Sequence, residues 1–113
     1  MLYIANAFSL SMLKKPDATL RCREVEIEEI KDLLNICRWS SCVGHKDLAQ
    51  ILSNMLGVQI STNRSNITLE RWDRLVVAQY IGPRLPEGAK DLPQDANITF
   101  HMVEVAYYPP QLA

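Results

Sequence analysis

Residues 75–81 read Leu-Val-Val-Ala-Gln-Tyr-Ile, a run that is apolar apart from Gln79. A short, continuous apolar run rich in branched side chains suits a strand covered on both faces, and such a strand belongs in the middle of a sheet with other layers packed on it. Gly82-Pro83 ends the run, because proline has no amide for the ladder and glycine turns freely. Arg84 is thereby delivered just beyond the strand's carboxyl end, the position from which ligands are bound in open α/β sheets.

The remaining elements fall into place around that strand. Leu2-Tyr3-Ile4 reads as a short strand, leading through Asn6-Ala7-Phe8-Ser9 into a brief helical turn with Leu10, Met12 and Leu13 that Pro16 breaks. Leu20, Cys22, Val25 and Ile27 give an uneven extended pattern, and residues 28–36 are helical in composition. Between residues 46 and 55, Leu48, Ile51, Leu52 and Met55 recur at i, i+3, i+4 and i+7, and Gly57 supplies a left-handed stop. Val58 to Ile60 and Ile67 to Leu69 flank the polar residues 61–66, whose composition predicts a hairpin connection. Residues 82–97, rich in Pro, Gly and Asp, read as a loop, and a last strand spans residues 98–105 with Ile98, Phe100 and Met102 alternating with Thr99 and His101. The expected fold is α/β: a compact mixed β-sheet flanked by helices, in a single domain with its core over about residues 2–105 and a short tail over 106–113 that includes Tyr107-Tyr108-Pro109-Pro110.

At 113 residues the chain fits one domain. Its 12 Lys and Arg against 13 Asp and Glu give a net charge of −1, so general adhesion to duplex DNA is not expected, and a phosphate ligand would be gripped at a few points. Cys22, Cys37 and Cys42 form an odd set without a CxxC pair, which indicates reduced thiols and neither a disulfide framework nor a zinc ribbon. No basic region precedes the apolar start and no stretch is long enough to span a bilayer, so no membrane association is expected and the location expected is cytoplasmic.

Several residues suit phosphate chemistry, each with a plainer alternative. His45 follows Gly44 at a helix start, where backbone amides can hold an anion while the imidazole exchanges a proton; a histidine that merely caps the helix is the other reading. Arg84 suits phosphate recognition or a surface pair with Glu87, itself a candidate for orienting Arg84, holding a ribose hydroxyl or acting as a base. Arg64 offers a second cation or a solvated turn residue, while Asn6 and Ser9 either bind a phosphate or sugar or satisfy their own turn. Gln79 needs a partner if buried. His101 shares no metal-ligand spacing with His45, so no metal site is expected. Trp39 and Trp72 suit a core or an interface better than a base stack.

Taken together, Asn6-Ala7-Phe8-Ser9 with Met12-Leu13, Val43-Gly44-His45, the Leu52 to Gly57 helix end, Asn63-Arg64 and Arg84-Leu85-Pro86-Glu87-Gly88 resemble the viral type III anti-CRISPR ring nucleases. The matches run in order over roughly residues 2–105. The resemblance implies a homodimeric α/β protein that binds cyclic tetra-adenylate across its two-fold axis. It also implies cleavage, without metal or other cofactor, to linear di-adenylate bearing a 2′,3′-cyclic phosphate, which switches off type III CRISPR signalling. Carried over by position, His45 is the general acid, Arg84 the stabiliser of phosphoryl charge and Glu87 an orienting group, while Asn6, Ser9, Ser11, Gly44, Arg64 and Gln79 match ligand-contacting positions. Ser11 stands where the family carries Asn, and Leu48 replaces a small polar residue. The same residues leave two other functions open: a protein that sequesters the ring without cutting it, and a dimeric interaction protein with no nucleotide ligand. The location implied for a viral member is the host cytoplasm.

Overall fold

The structure is a computed structural model and describes residues 1–110, so the end of the expected tail, 111–113, lies outside the described residues. The elements run β1 (Leu2–Ala5), a 3-10 turn (Leu10–Met12), β2 (Thr19–Val25), α1 (Ile27–Ile36), β3 (Trp39–Cys42), α2 (Lys46–Leu56), β4 (Arg74–Ile81) and β5 (Asn97–Tyr107). The strands form one mixed sheet in the order β2-β5-β4-β1-β3. The run over 75–81 is its central strand, with Leu75, Val76 and Ala78 at 0% exposure.

β1 pairs in parallel with β3 on one side and with β4 on the other, Ile4 lying between Ser41 and Val76. The chain leaves β1, returns to it as β3, then crosses over it through α2 to become β4 on the far side. β5 closes the sheet in antiparallel register with both β4 and β2.

Alternation along each strand divides the side chains between two layers. Leu2, Ile4, Val76, Ala78, Ile98, Phe100 and Met102 pack with Ile30 and Leu34 of α1 and with Leu48, Ile51, Leu52 and Leu56 of α2. Both helices share that face, so the expected sheet flanked by helices has them on one side only. Ala5, Leu75, Val103 and Val105 face the other way and are covered by Phe8, Met12, Leu13, Ile67 and Leu69 from non-strand segments. This second layer explains why β5 is longer than the alternation predicts. Its apolar side switches from Ile98, Phe100 and Met102 to Val103 and Val105, and the strand continues to Tyr107. Beyond it, the Tyr108 hydroxyl donates to the Leu69 carbonyl at 2.6 Å and accepts the Lys14 amide at 3.0 Å, so the start of the expected tail is part of that cover.

α2 carries the strongest local signals in the sequence. His45 is its N-cap and Gly57, at φ 72°, its left-handed C-cap, as the spacing predicts. The expected hairpin about residues 61–66 does not form. That segment runs alongside the free edge of β3, with a parallel bridge between Val43 and Thr62. Asn63 donates its amide to the Val43 carbonyl at 2.8 Å and its side-chain nitrogen to that of Ser41 at 2.9 Å, while Ser41 Oγ donates to the Ser61 carbonyl at 2.6 Å. Polar residues that suit a turn here satisfy an open strand edge instead.

On the opposite edge β2 has no outer neighbour among the described residues. Arg23 hydrogen-bonds Glu29 of α1 at 2.6 Å, which holds the Glu29 carboxyl below its ordinary range, but both groups are exposed and the pair adds little to stability. Packing therefore carries the fold. Leu52, at 0% exposure beneath the sheet, is the test: Leu52→Ala should lower the unfolding free energy by about 2–5 kcal/mol, read from a urea midpoint shifted at unchanged slope.

Candidate functional site

Three parallel strands end side by side, and each hands the chain to a polar residue. Asn6 follows β1, Gly44 and His45 follow β3, and Gly82 and Arg84 follow β4. Because the chain leaves β1 toward the face covered by Phe8 and Met12 but leaves the neighbouring β3 toward the face covered by α2, a crevice opens at these carboxyl ends, the usual ligand position in a sheet of this kind. A cavity of about 480 Å³ occupies it, lined by Asn6, His45, Gln79 and Arg84 together with Leu48, Tyr80, Gly82 and Leu85.

The β1 and β3 ends are bonded to each other. The Gly44 amide donates to Asn6 Oδ1 at 3.1 Å, and Arg64 lies across Gly44 with its Nε donating to the Gly44 carbonyl at 3.0 Å. A Cβ on Gly44 would sit 2.9 Å from Arg64 Cγ, so the absent side chain is what lets the arginine pass. Asn6, Gly44 and Arg64 thus form a brace that fixes the entrance to α2.

His45 completes that entrance. Leu48 donates its amide to His45 Nδ1 at 3.2 Å, making the imidazole the N-cap of α2. A ring that accepts a hydrogen bond at Nδ1 carries its proton on Nε2 when neutral, so in this geometry it has a donor to offer. His45 thus caps α2 and lines the cavity at once.

Beyond β4 the turn is held by Tyr80, whose hydroxyl donates to the Pro83 carbonyl at 2.6 Å. Gly82, at φ 154°, approaches Ala96 so closely that a Cβ would lie 2.7 Å from the Ala96 Cβ and 2.9 Å from its Cα. This contact closes the base of the loop beside the Ile81–Asn97 pair, and Arg84, exposed at the start of the loop, lines the cavity. Arg84 is exposed, and among the described residues it has no carboxylate within 4.0 Å, so the expected alternative of a pair with Glu87 does not form. Gln79 is exposed and lines the cavity, so it needs no buried partner.

The other candidates stand apart from the cavity. Ser9 and Ser11 hydrogen-bond each other at 2.9 Å, with Ser9 capping the 3-10 turn, so they satisfy their own turn in the free protein. Glu87 is exposed on the loop and does not line the cavity. Sequence reasoning passed over Tyr80, Gly82 and Leu85 as site residues. The strand's period of two already placed Tyr80 opposite Gln79, and its hydroxyl next to a Gly-Pro break was the signal available.

The fold and this crevice define an α/β protein with a ligand-sized cleft at the carboxyl ends of its parallel strands. A model of the STIV B116-like family matches residues 2–100, and the chain belongs to that family. Its relatives are viral: it is 38% identical over 88 residues, 78% of this chain and 74% of the relative, to "Uncharacterized protein 26" of Sulfolobus islandicus filamentous virus. Its fold is that of B116 of Sulfolobus turreted icosahedral virus, with a TM-score of 0.73 and 21% identity over 91% of this chain and 97% of the other.

The capping bond gives a measurable expectation. His45→Ala should cost about 1 kcal/mol of stability by leaving the Leu48 amide without its acceptor, whereas His45→Ser, which supplies an oxygen at the cap, should restore most of it. Thermal unfolding of the two variants beside the parent checks this; equal losses would mean that the ring contributes nothing as a cap.

Proposed function

We propose that the protein is a ring nuclease that binds cyclic tetra-adenylate and cuts it to di-adenylate with a 2′,3′-cyclic phosphate, acting as a homodimer. The observation that carries this reading is that Asn6, His45, Gln79 and Arg84, scattered along the sequence, line one cavity. Its size, about 480 Å³, suits part of such a ring and not the whole. A two-fold dimer would set a second, identical cavity against the other half.

The chemistry follows from the substrate. The ribose 2′-oxygen attacks the adjacent phosphorus, an O2′–P bond forms, and the P–O5′ bond in line with it breaks. The 2′ proton passes to solvent, and the departing 5′-oxygen takes a proton from the His45 imidazolium. The nucleophile is already part of the ring, so no metal-bound water is needed to generate one. Arg84, which lines the cavity with no carboxylate within 4.0 Å among the described residues, would neutralise the phosphoryl oxygens as charge builds on them. Asn6 and Gln79 suit the sugar or the base, and Glu87 enters the site only with a shift of its loop.

The capping bond bears on the proton step. An imidazolium donates from both nitrogens, so His45 must release the Leu48 amide before it can serve as the acid. If the cap holds, the neutral ring only donates from Nε2, and the protein would grip the ring without cutting it. The 3.2 Å capping bond is the observation that favours this second reading.

Incubation with cyclic tetra-adenylate in excess chelator, with products resolved by chromatography and mass spectrometry, separates the two. Cleavage is expected, with loss of at least about a hundredfold in His45→Ser, which keeps a cap but has no ring, and the 2′-deoxy ring should bind uncut. Arg84→Ala should weaken both binding and turnover. An intact ring that co-elutes with the protein would establish sequestration. An intact ring that does not co-elute would overturn both readings and leave an interaction protein without a nucleotide ligand.

A further inference from the structure

The opposite end of the sheet, where β1, β3 and β4 begin, carries a different surface. Trp72, just before β4, is 73% exposed and stands between two clefts. One, of about 450 Å³, holds Arg21, Arg71 and Glu104. The other, of about 370 Å³, holds Arg38, Arg74 and Cys37. Four arginines thus surround one indole in a chain whose net charge is −1. Among the described residues none of the four has a carboxylate within 4.0 Å, although Glu104 sits across the ladder from both Arg21 and Arg74. Arg74 points one nitrogen at Cys37 Sγ, 3.3 Å away. Apolar exposure accumulates beside the same clefts: Ile36, 79% exposed, precedes Cys37, and Tyr107, 48% exposed, follows Ala106 of the first cleft.

An exposed indole ringed by arginine forks is the composition of an interface anchor. Leaving it in water gains nothing for the fold, since the core lies in the two layers already described. We propose that this end of the sheet docks an acidic protein segment that carries apolar side chains, with Trp72 as the anchor and Arg21, Arg38, Arg71 and Arg74 pairing its carboxylates. Guanidinium forks match carboxylates in a bidentate geometry, and their aliphatic stems extend the apolar floor around the ring. A single-stranded nucleic acid fits less well. Trp72 is the only aromatic ring lining either cleft among the described residues, where such strands want successive stacking platforms, and Glu104 would face their phosphates. The surface lies at the far ends of the strands from His45 and Arg84, so it acts independently of any ring chemistry.

Titrating fluorescently labelled synthetic peptide, alternating Glu with Leu, against the whole chain by anisotropy tests this. Polyuridylate and a peptide with Lys in place of Glu are the comparison probes. The expected result is salt-sensitive binding of the acidic peptide alone, weakened about tenfold or more by Trp72→Ala and by Arg71→Glu and unchanged by His45→Ser. Because Trp72 and Arg71 are exposed, unaltered thermal unfolding should confirm that both variants are folded. Equal binding of the acidic and basic peptides, no binding at all, or Trp72-dependent binding of polyuridylate in place of the peptide would each overturn the proposal.

Discussion

Everything at the functional end depends on β1 being held in parallel ladders on both sides. It is only four residues long, yet its partners are β3 and β4, and it has no slack: Ile4 is at 0% exposure and Leu2 and Ala5 at 2%. Because the strands are parallel, their carboxyl ends coincide, and because the chain departs from β1 and from β3 to opposite faces of the sheet, a crevice is left at that meeting point. The crevice is a consequence of topology before any side chain is chosen. Side chains then decide what it can hold. Asn6 ties the end of β1 to Gly44, Gly82 folds the last loop onto Ala96, and between these two fixed walls stand one imidazole and one guanidinium.

His45 both caps a helix and lines the cavity. Its Nδ1 stabilises the first turn of α2, and that helix supplies most of the apolar cover for the sheet through Leu48, Ile51, Leu52 and Leu56. A histidine is a poorer general-purpose cap than serine or aspartate. Under the proposed reaction, the chain accepts a weaker helix entrance in exchange for one that can carry a proton. The brace formed by Asn6, Gly44 and Arg64 compensates by fixing the same entrance from the other side.

Much of this was legible in the sequence where the signal is local. The apolar run over 75–81, the spacing from Leu48 to Met55 and the glycine at 57 predict β4 and α2 because each depends on residues close along the chain. The meeting of Asn6, His45, Gln79 and Arg84 follows once the strands are taken as parallel. What the sequence hid depends on distant partners. Residues 61–66 have the composition of a turn, and only the open edge of β3 explains why they lie extended. Val103 and Val105 break the alternation of β5 because Leu69 and Leu75 lie across from them, more than twenty-five residues earlier. Glu87, strongly placed by its motif, stands outside the cavity in the free protein, since a loop residue's position depends on what the loop closes over.

The strand order also dictates when this chain can fold during its own synthesis. β1 emerges from the ribosome first but cannot be paired on both sides until β4 has been made, some seventy residues later. β2 waits longer still, since its strand neighbour among the described residues is β5, more than seventy residues further on. No contiguous stretch that stops short of β5 contains the full sheet, because β5 alone joins β2 to the parallel strands. The sheet is therefore completed through pairings distant along the chain, the kind that form slowly and leave apolar edges open in the meantime.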